Sequence, residues 1–285
     1  MKRVLTGLIL APLTLLAVLR APPLIFAGLL AIVTVLAVRE FYDLAESLHL
    51  QPYRWIGLAG TIVLVFAAST WGDAVTETLL LIVLLLVLGR SLILPARMAR
   101  AMAEAGITIL GLLYPGLCLA MLGRIRSGIP GGEWWIVFLL LVVWLGDTAA
   151  YYVGRHLGRH PMAPQVSPKK TWEGAVASLL AAALTGGCLV AWAVPLSQGL
   201  TRIGLAAEPL GNNGGFVAAA LLGMLVNIAA QAGDLVESVF KRGADVKDSG
   251  TLLPGHGGVL DRVDALLLAT PVLWFVLFFG FMLHA

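Results

Sequence analysis

A chain of 285 residues that is 59% hydrophobic and only 12% charged cannot assemble a soluble surface, and its mean hydropathy of +0.93 marks an integral membrane protein. The formal net charge of +3 reports topology in such a chain, and no nucleic-acid partner is expected. Cys118 and Cys188 lie in apolar runs with no Cys-x-x-Cys or Cys/His cluster, which leaves them as small core residues.

The N-terminal MKRVLTGLILAPLTLLAVLR has the basic start and apolar run of a secretory leader. It lacks a small-x-small cleavage site, and a second apolar run follows RAPP at once, so it is expected to remain as the first membrane helix. Runs able to cross ~30 Å of hydrocarbon are predicted at about 4–19, 22–38, 55–71, 77–94, 105–122, 134–154, 173–193, 215–233 and 264–283. The fold class is therefore an all-α, polytopic bundle of about nine transmembrane helices. Pro12, Pro115 and Pro271 fall inside these runs, where neighbouring helices can satisfy the freed backbone groups. Alternating strand-length segments are absent, which excludes a β-barrel.

With the N-terminus in the cytoplasm, fifteen of the nineteen Lys and Arg fall on the inner side, and only Arg20, Arg124, Arg126 and Arg202 on the outer. That bias predicts an N-inside, C-outside protein of the inner (cytoplasmic) membrane. Residues 1–133 read as N-terminal helices and 134–285 as a catalytic region with two polar cytoplasmic loops, 154–174 and 234–264. GNNGG at 211–215 reads as a flexible external turn.

Polar residues in the second half stand out against this background. Asp147, in VVWLGDTAAYYVG, is a carboxylate near a helix end, which in a membrane faces the bundle interior or a wet cavity. It serves function or pairs with Arg155 or a lysine. Loop 154–174 carries Arg155, His156, Arg159, His160, Lys169 and Lys170. Its SPKKT end leads into a helix that Thr171 can cap, with Glu173 in the first turn. Two lysines beside a helix N-terminus suit a polyphosphate, or serve as topology signals facing anionic headgroups.

In NIAAQAGDLVESVFKRG, a continuing helix puts Asp234, Glu237, Ser238 and Lys241 on one face, with Gln231 one turn earlier. Oxygen ligands in that pattern suit Mg²⁺; the alternative is a helix end stabilised by a carboxylate–lysine pair. The stretch 241–264 then holds eight charges, Lys241, Arg242, Asp245, Lys247, Asp248, Asp261, Arg262 and Asp264, among glycines at 250, 255, 257 and 258. Asp261 and Asp264 fall one turn apart at the start of the last helix, where carboxylates are favoured in any case. Mixed cations and carboxylates indicate a metal–polyphosphate site rather than a single-sign patch.

SVFKRGADVKDSGTLLPGHGGVLDRVD, residues 238–264, resembles the signature of the phosphatidate cytidylyltransferases (CDP-diacylglycerol synthases): Ser-x-x-Lys-Arg, Lys-Asp-x-Gly, Pro-x-His-Gly-Gly and Asp-Arg-x-Asp at the family spacing. GDTAAYYVGR, SPKKTWEG and QAGDLVES are similar to that family as well. The resemblance is close over the last four predicted helices and generic before them. It implies that CTP and phosphatidate react to give CDP-diacylglycerol and pyrophosphate at a Mg²⁺-dependent centre with room for a second cation. It implies carboxylate ligands at Asp234 and Asp261, with Glu237 beside them. Lys169, Lys170, Lys241, Arg242, Lys247 and Arg262 become phosphate-binding candidates. His256 becomes a phosphate contact or a loop-shaping residue, and Asp147, Thr171, Glu173, Ser238, Asp248 and Asp264 complete the expected site. Oligomeric state stays open, a homodimer included. Two other readings are a CTP-dependent polyprenol- or dolichol-type lipid kinase and, in a different class, an ion-coupled transporter.

Overall fold

The computed structural model describes residues 2–93, 95–202, 204, 215–252 and 257–282, with side chains from residue 10 onward except 94–97 and 281–282. His256 and the 211–214 part of the external turn lie outside the described residues.

The chain forms a bundle of helices whose lengths follow from their apolar runs. The first four are α1 (Lys2–Arg20), α2 (Pro23–Ser47), α3 (Arg54–Thr70) and α4 (Asp73–Ile93). A 3₁₀ turn over Pro95–Arg100 leads into α5 (Ala101–Gly111), and α6 (Cys118–Gly128) continues the same rod. Between α5 and α6 a wide π-turn, Leu112–Leu117, accommodates Pro115, which has no N–H to give to a regular ladder. The second half holds α7 (Gly132–Leu157), α8 (Trp172–Ala191), the short α9 (Ala193–Arg202), α10 (Phe216–Gly243) and α11 (Leu260–Met282).

Among the described residues, seven helices are long and apolar enough to cross a membrane: Pro23–Ser47, Asp73–Ile93, Met98–Gly128, Gly132–Leu157, Trp172–Ala191, Phe216–Gly243 and Leu260–Gly280. The first and third predicted spans fall on shorter apolar helices, Leu10–Arg20 and Arg54–Thr70. Exposed tryptophans bracket α3 (Trp55 and Trp71) and α8 (Trp172 and Trp192). Paired belts of this kind are how amphipathic rings sit at two membrane–water interfaces.

Two features depart from the predicted loops. Helix α2 runs on to Ser47, well beyond the apolar run that ends near residue 38. Its polar last turns are held by α3, since Arg54 pairs with both Asp43 and Glu46. The 154–174 segment contains a small antiparallel hairpin, β1 (Pro161–Ala163) and β2 (Ser167–Thr171), with Pro161 opposite Thr171 and Ala163 opposite Ser167. No strand is predicted there because the segment is too short and polar to show alternation.

Large buried side chains from both halves, among them Leu64, Leu112, Leu119, Ile125, Phe138 and Leu267, fill one continuous core. Helix α8 packs most extensively on α7 and α10, and α10 in turn on α11. A polar seam runs up the α8–α10 contact. Asn227 Nδ2 donates to Ser178 Oγ (3.0 Å), and Gln231 Nε2 donates to Asn227 Oδ1 (2.7 Å) and to the Ala175 carbonyl (3.3 Å). It ends at Asp234, one turn on.

Candidate active site

The polar ends of α7, α8, α10 and α11 meet at one end of the bundle. Thr171 caps α8, accepting from the Gly174 N–H at 3.2 Å. Glu173, in the first turn, reaches back to His160, whose Nδ1 lies 2.6 Å from Oε1. That contact fastens the hairpin to the helix start. Because side chains alternate along a strand, the adjacent lysines of β2 take different surroundings. Lys169 is exposed, whereas Lys170 turns inward and its Nζ lies 2.8 Å from Asp234 Oδ2. Trp172, two residues on, is exposed.

Helix α10 continues to Gly243, which places Asp234, Glu237, Ser238 and Lys241 on the face expected of them. Ser238 Oγ stands 3.4 Å from Asp234 Oδ1. Lys241 bridges Glu237, on its own helix, and Asp261 Oδ1, at 2.6 Å on α11. The other Asp261 oxygen accepts the backbone N–H groups of Ser249 (2.9 Å) and Gly258 (2.8 Å). Asp261 is thus the junction between the long loop and Lys241. Asp264 Oδ1 accepts from the Ala265 N–H at 2.7 Å, and Asp147 and Asp264 both lie within electrostatic range of Asp234. Arg155 donates to the Tyr151 hydroxyl at 2.9 Å, and Lys170 is a cation within electrostatic range of Asp147.

The remaining candidates are more peripheral. Arg242 braces the hairpin by donating to the Val166 carbonyl (3.3 Å) and closes the end of α10 by donating to the Val246 carbonyl (3.1 Å). Lys247, Asp248 and Arg262 are exposed around the rim.

The carboxylates supply only hard oxygen donors, the chemistry Mg²⁺ prefers. Among the described residues no three Asp, Glu, His or Cys groups form a ready-made cage, because lysines stand between the carboxylates. Asp234 nevertheless keeps 38% of its side chain exposed, and Glu237 Oε1 is buried with no hydrogen-bond partner among the described residues. Mg²⁺ usually takes one or two protein carboxylates and completes its shell with water and substrate phosphate. The donor set fits an ion held in that way.

Two residues that the sequence does not single out belong to this region. Glu40, from the polar end of α2, is buried and accepts three hydrogen bonds from the loop 249–260: Ser249 Oγ (3.0 Å), Val259 N (2.9 Å) and Leu260 N (2.8 Å). Tyr114, on the π-turn, packs between Phe41 and Phe240 with centroids 5.9 and 5.5 Å away. Its hydroxyl is buried with no hydrogen-bond partner among the described residues, within electrostatic range of Glu237, Asp264 and Asp234. The one available signal for Glu40 was an acidic residue just past the end of an apolar run.

Known proteins resemble this chain in sequence. A family model described as the cytidylyltransferase family matches residues 1–279. A phosphatidate cytidylyltransferase of Brucella melitensis is 47% identical over 164 residues, 58% of this chain and 54% of that protein. The matched stretch therefore spans about half the length of that relative. One from Bacillus subtilis is 37% identical over 61% of this chain and 58% of its own length. One from Staphylococcus saprophyticus is 30% identical over 88% of this chain and 91% of its own.

Proposed function

The chain belongs to the cytidylyltransferase family, and from that premise we propose that it joins CTP to phosphatidate, giving CDP-diacylglycerol and pyrophosphate for phospholipid synthesis. The observation that carries the proposal is the pair of carboxylate-held lysines, Lys170 and Lys241, gathered at the polar end of the bundle, with the exposed Trp172 two residues beyond Lys170. Exposed tryptophans favour the membrane–water interface, where a water-soluble triphosphate and a membrane-anchored phosphate can meet.

An oxygen of the phosphatidate phosphate attacks the α-phosphorus of CTP, the bond from that phosphorus to the β-phosphate oxygen breaks, and pyrophosphate departs. A phosphate monoester has its second pKa near ~6, so the nucleophile is largely ionised at neutral pH and needs no strong base. The protein's task is to bring two polyanions together and to stabilise charge on the leaving group. Lys170 and Lys241 are already oriented by Asp234, Glu237 and Asp261, and so meet phosphate without ordering a long side chain first. Lys169, Arg242, Lys247 and Arg262 surround them as further cations. Asp234, Glu237 and Asp261 are the proposed holders of Mg²⁺, which when bound neutralises charge on the polyphosphate. The fifteen-to-four division of Lys and Arg supports a site on the cytoplasmic side of the inner membrane.

Purified protein given CTP labelled at the α-phosphate, phosphatidate and Mg²⁺ should release pyrophosphate and carry the label into lipid. Label reaching lipid only from γ-labelled CTP would instead identify a kinase, and no labelled lipid from either would refute the proposal.

A further inference from the structure

Helix α11 begins at Leu260, and its first backbone N–H groups have no partner within their own helix. A local side chain usually meets that need. Here the carboxylate comes from α2: Glu40 Oε1 accepts from Val259 N, and Oε2 accepts from both Leu260 N and the Ser249 hydroxyl. Asp261, the acidic residue of that first turn, is therefore free to turn outward to Ser249 N, Gly258 N and Lys241.

Two glycines of the loop follow from the same contact. A Cβ at Gly250 would lie 2.6 Å from Glu40 Oε1, and one at Gly258 would overlap both Glu40 Oε2 and the Ser249 hydroxyl. The carboxylate occupies the space that side chains would need. The next residue, Phe41, meets Phe240 edge-on with centroids 5.7 Å apart, and Phe240 directly precedes Lys241. Consecutive residues of α2 thus hold both supports of Lys241, Phe41 on the α10 side and Glu40 on the Asp261 side.

We infer that Glu40 is a positioning residue for cytidylyl transfer: by capping α11 from another helix it closes the loop and frees Asp261 to aim Lys241 at substrate phosphate. The inference rests on the proposed function for its activity readouts. It also makes the catalytic unit span both halves of the chain, since residues 134–285 alone lack the carboxylate that closes their own loop.

Glu40→Gln keeps the shape but sets an amide N–H₂ against an N–H donor. In the full-length protein, kcat should fall about a hundredfold, the scale of a small misplacement of reacting groups, while KM for CTP changes little. Amide exchange should quicken at 249–252 and 257–260 and stay slow in α10. Combined with Ser249→Ala, the variant should be no slower than Glu40→Gln alone, because residues acting as a unit are non-additive. Wild-type kcat, additive losses, or exchange quickened throughout the bundle would each overturn the inference. Should Glu40→Gln not fold, Ser249→Ala removes a single donor; several-fold slower turnover with faster exchange at 259–260 supports the role, and no change in either overturns it. A wild-type protein that makes no CDP-lipid would refute the proposed function, whereas the exchange measurement would still decide whether Glu40 closes the loop.

Discussion

Lys170 on β2 and Asp234 on α10 meet at 2.8 Å while 25% and 38% of their side chains remain open to solvent. A part-exposed ion pair contributes only about 0–1 kcal/mol to stability, and replacing both partners by apolar residues leaves no charge unpaired. We therefore expect Lys170→Met combined with Asp234→Leu to retain the thermal midpoint of the wild type and to lose at least ~10²-fold in turnover, as when a transition-state donor is removed. Unfolding monitored in detergent beside the CDP-lipid assay separates the two effects. Near-normal turnover would make the pair a structural tie.

Asp261→Asn retains the size of the side chain but has one acceptor oxygen for three donors: Lys241, Ser249 N and Gly258 N. Turnover should be abolished with the protein still folded and inserted. Activity within a few-fold of wild type at saturating Mg²⁺ would remove Asp261 from the site.

Gly258→Ala drives a methyl group into the Glu40 carboxylate and the Ser249 hydroxyl. Overpacking of this kind costs about 1–3 kcal/mol, and turnover should fall with it. Gly128, whose Cβ would meet nothing within 4 Å, provides the control. Equal thermal midpoints for the two alanine variants would show that the loop yields freely.

Chelation of divalent cations should stop turnover yet leave the thermal midpoint of the substrate-free protein unchanged, because Lys170 and Lys241 already balance the site's carboxylates. A midpoint lowered by several degrees would identify an ion that holds the fold together.

Orientation can be read with single cysteines in a chain lacking Cys118 and Cys188. Gln165→Cys, at the exposed tip of the hairpin, should be shielded from an impermeant thiol reagent in intact cells, and Gln198→Cys, exposed on α9, should react. The reverse pattern would invert the proposed topology.

The face formed by Asp234, Glu237, Ser238 and Lys241 is legible in the sequence because it depends only on a helix continuing, and the Thr171 cap because it depends on three adjacent residues. The lysine–carboxylate pairing was only partly accessible: i,i+4 spacing points to Glu237 and Lys241, but nothing local points Lys170 at Asp234. Glu40 and Tyr114 were hidden for a related reason. Tyr114 is a single polar residue in an apolar run and Glu40 one of several charges at the end of α2, and the significance of each comes from neighbours far along the chain. The hairpin was missed because the segment is too short and polar to show alternation and because Arg242, which braces it, lies far along the chain.

The reach of Glu40 also has a consequence in time. Its acceptors wait for donors 209 to 220 residues downstream, a separation that a ribosome working at roughly 5–20 residues per second covers in about 10–40 s. Throughout that interval α2 can already be in the bilayer, yet its carboxylate has only water or headgroups to bind. The site is therefore completed only once α11 has been made, and a nascent chain stalled before α11 would hold the helices that precede it while lacking the clasp that orders Lys241.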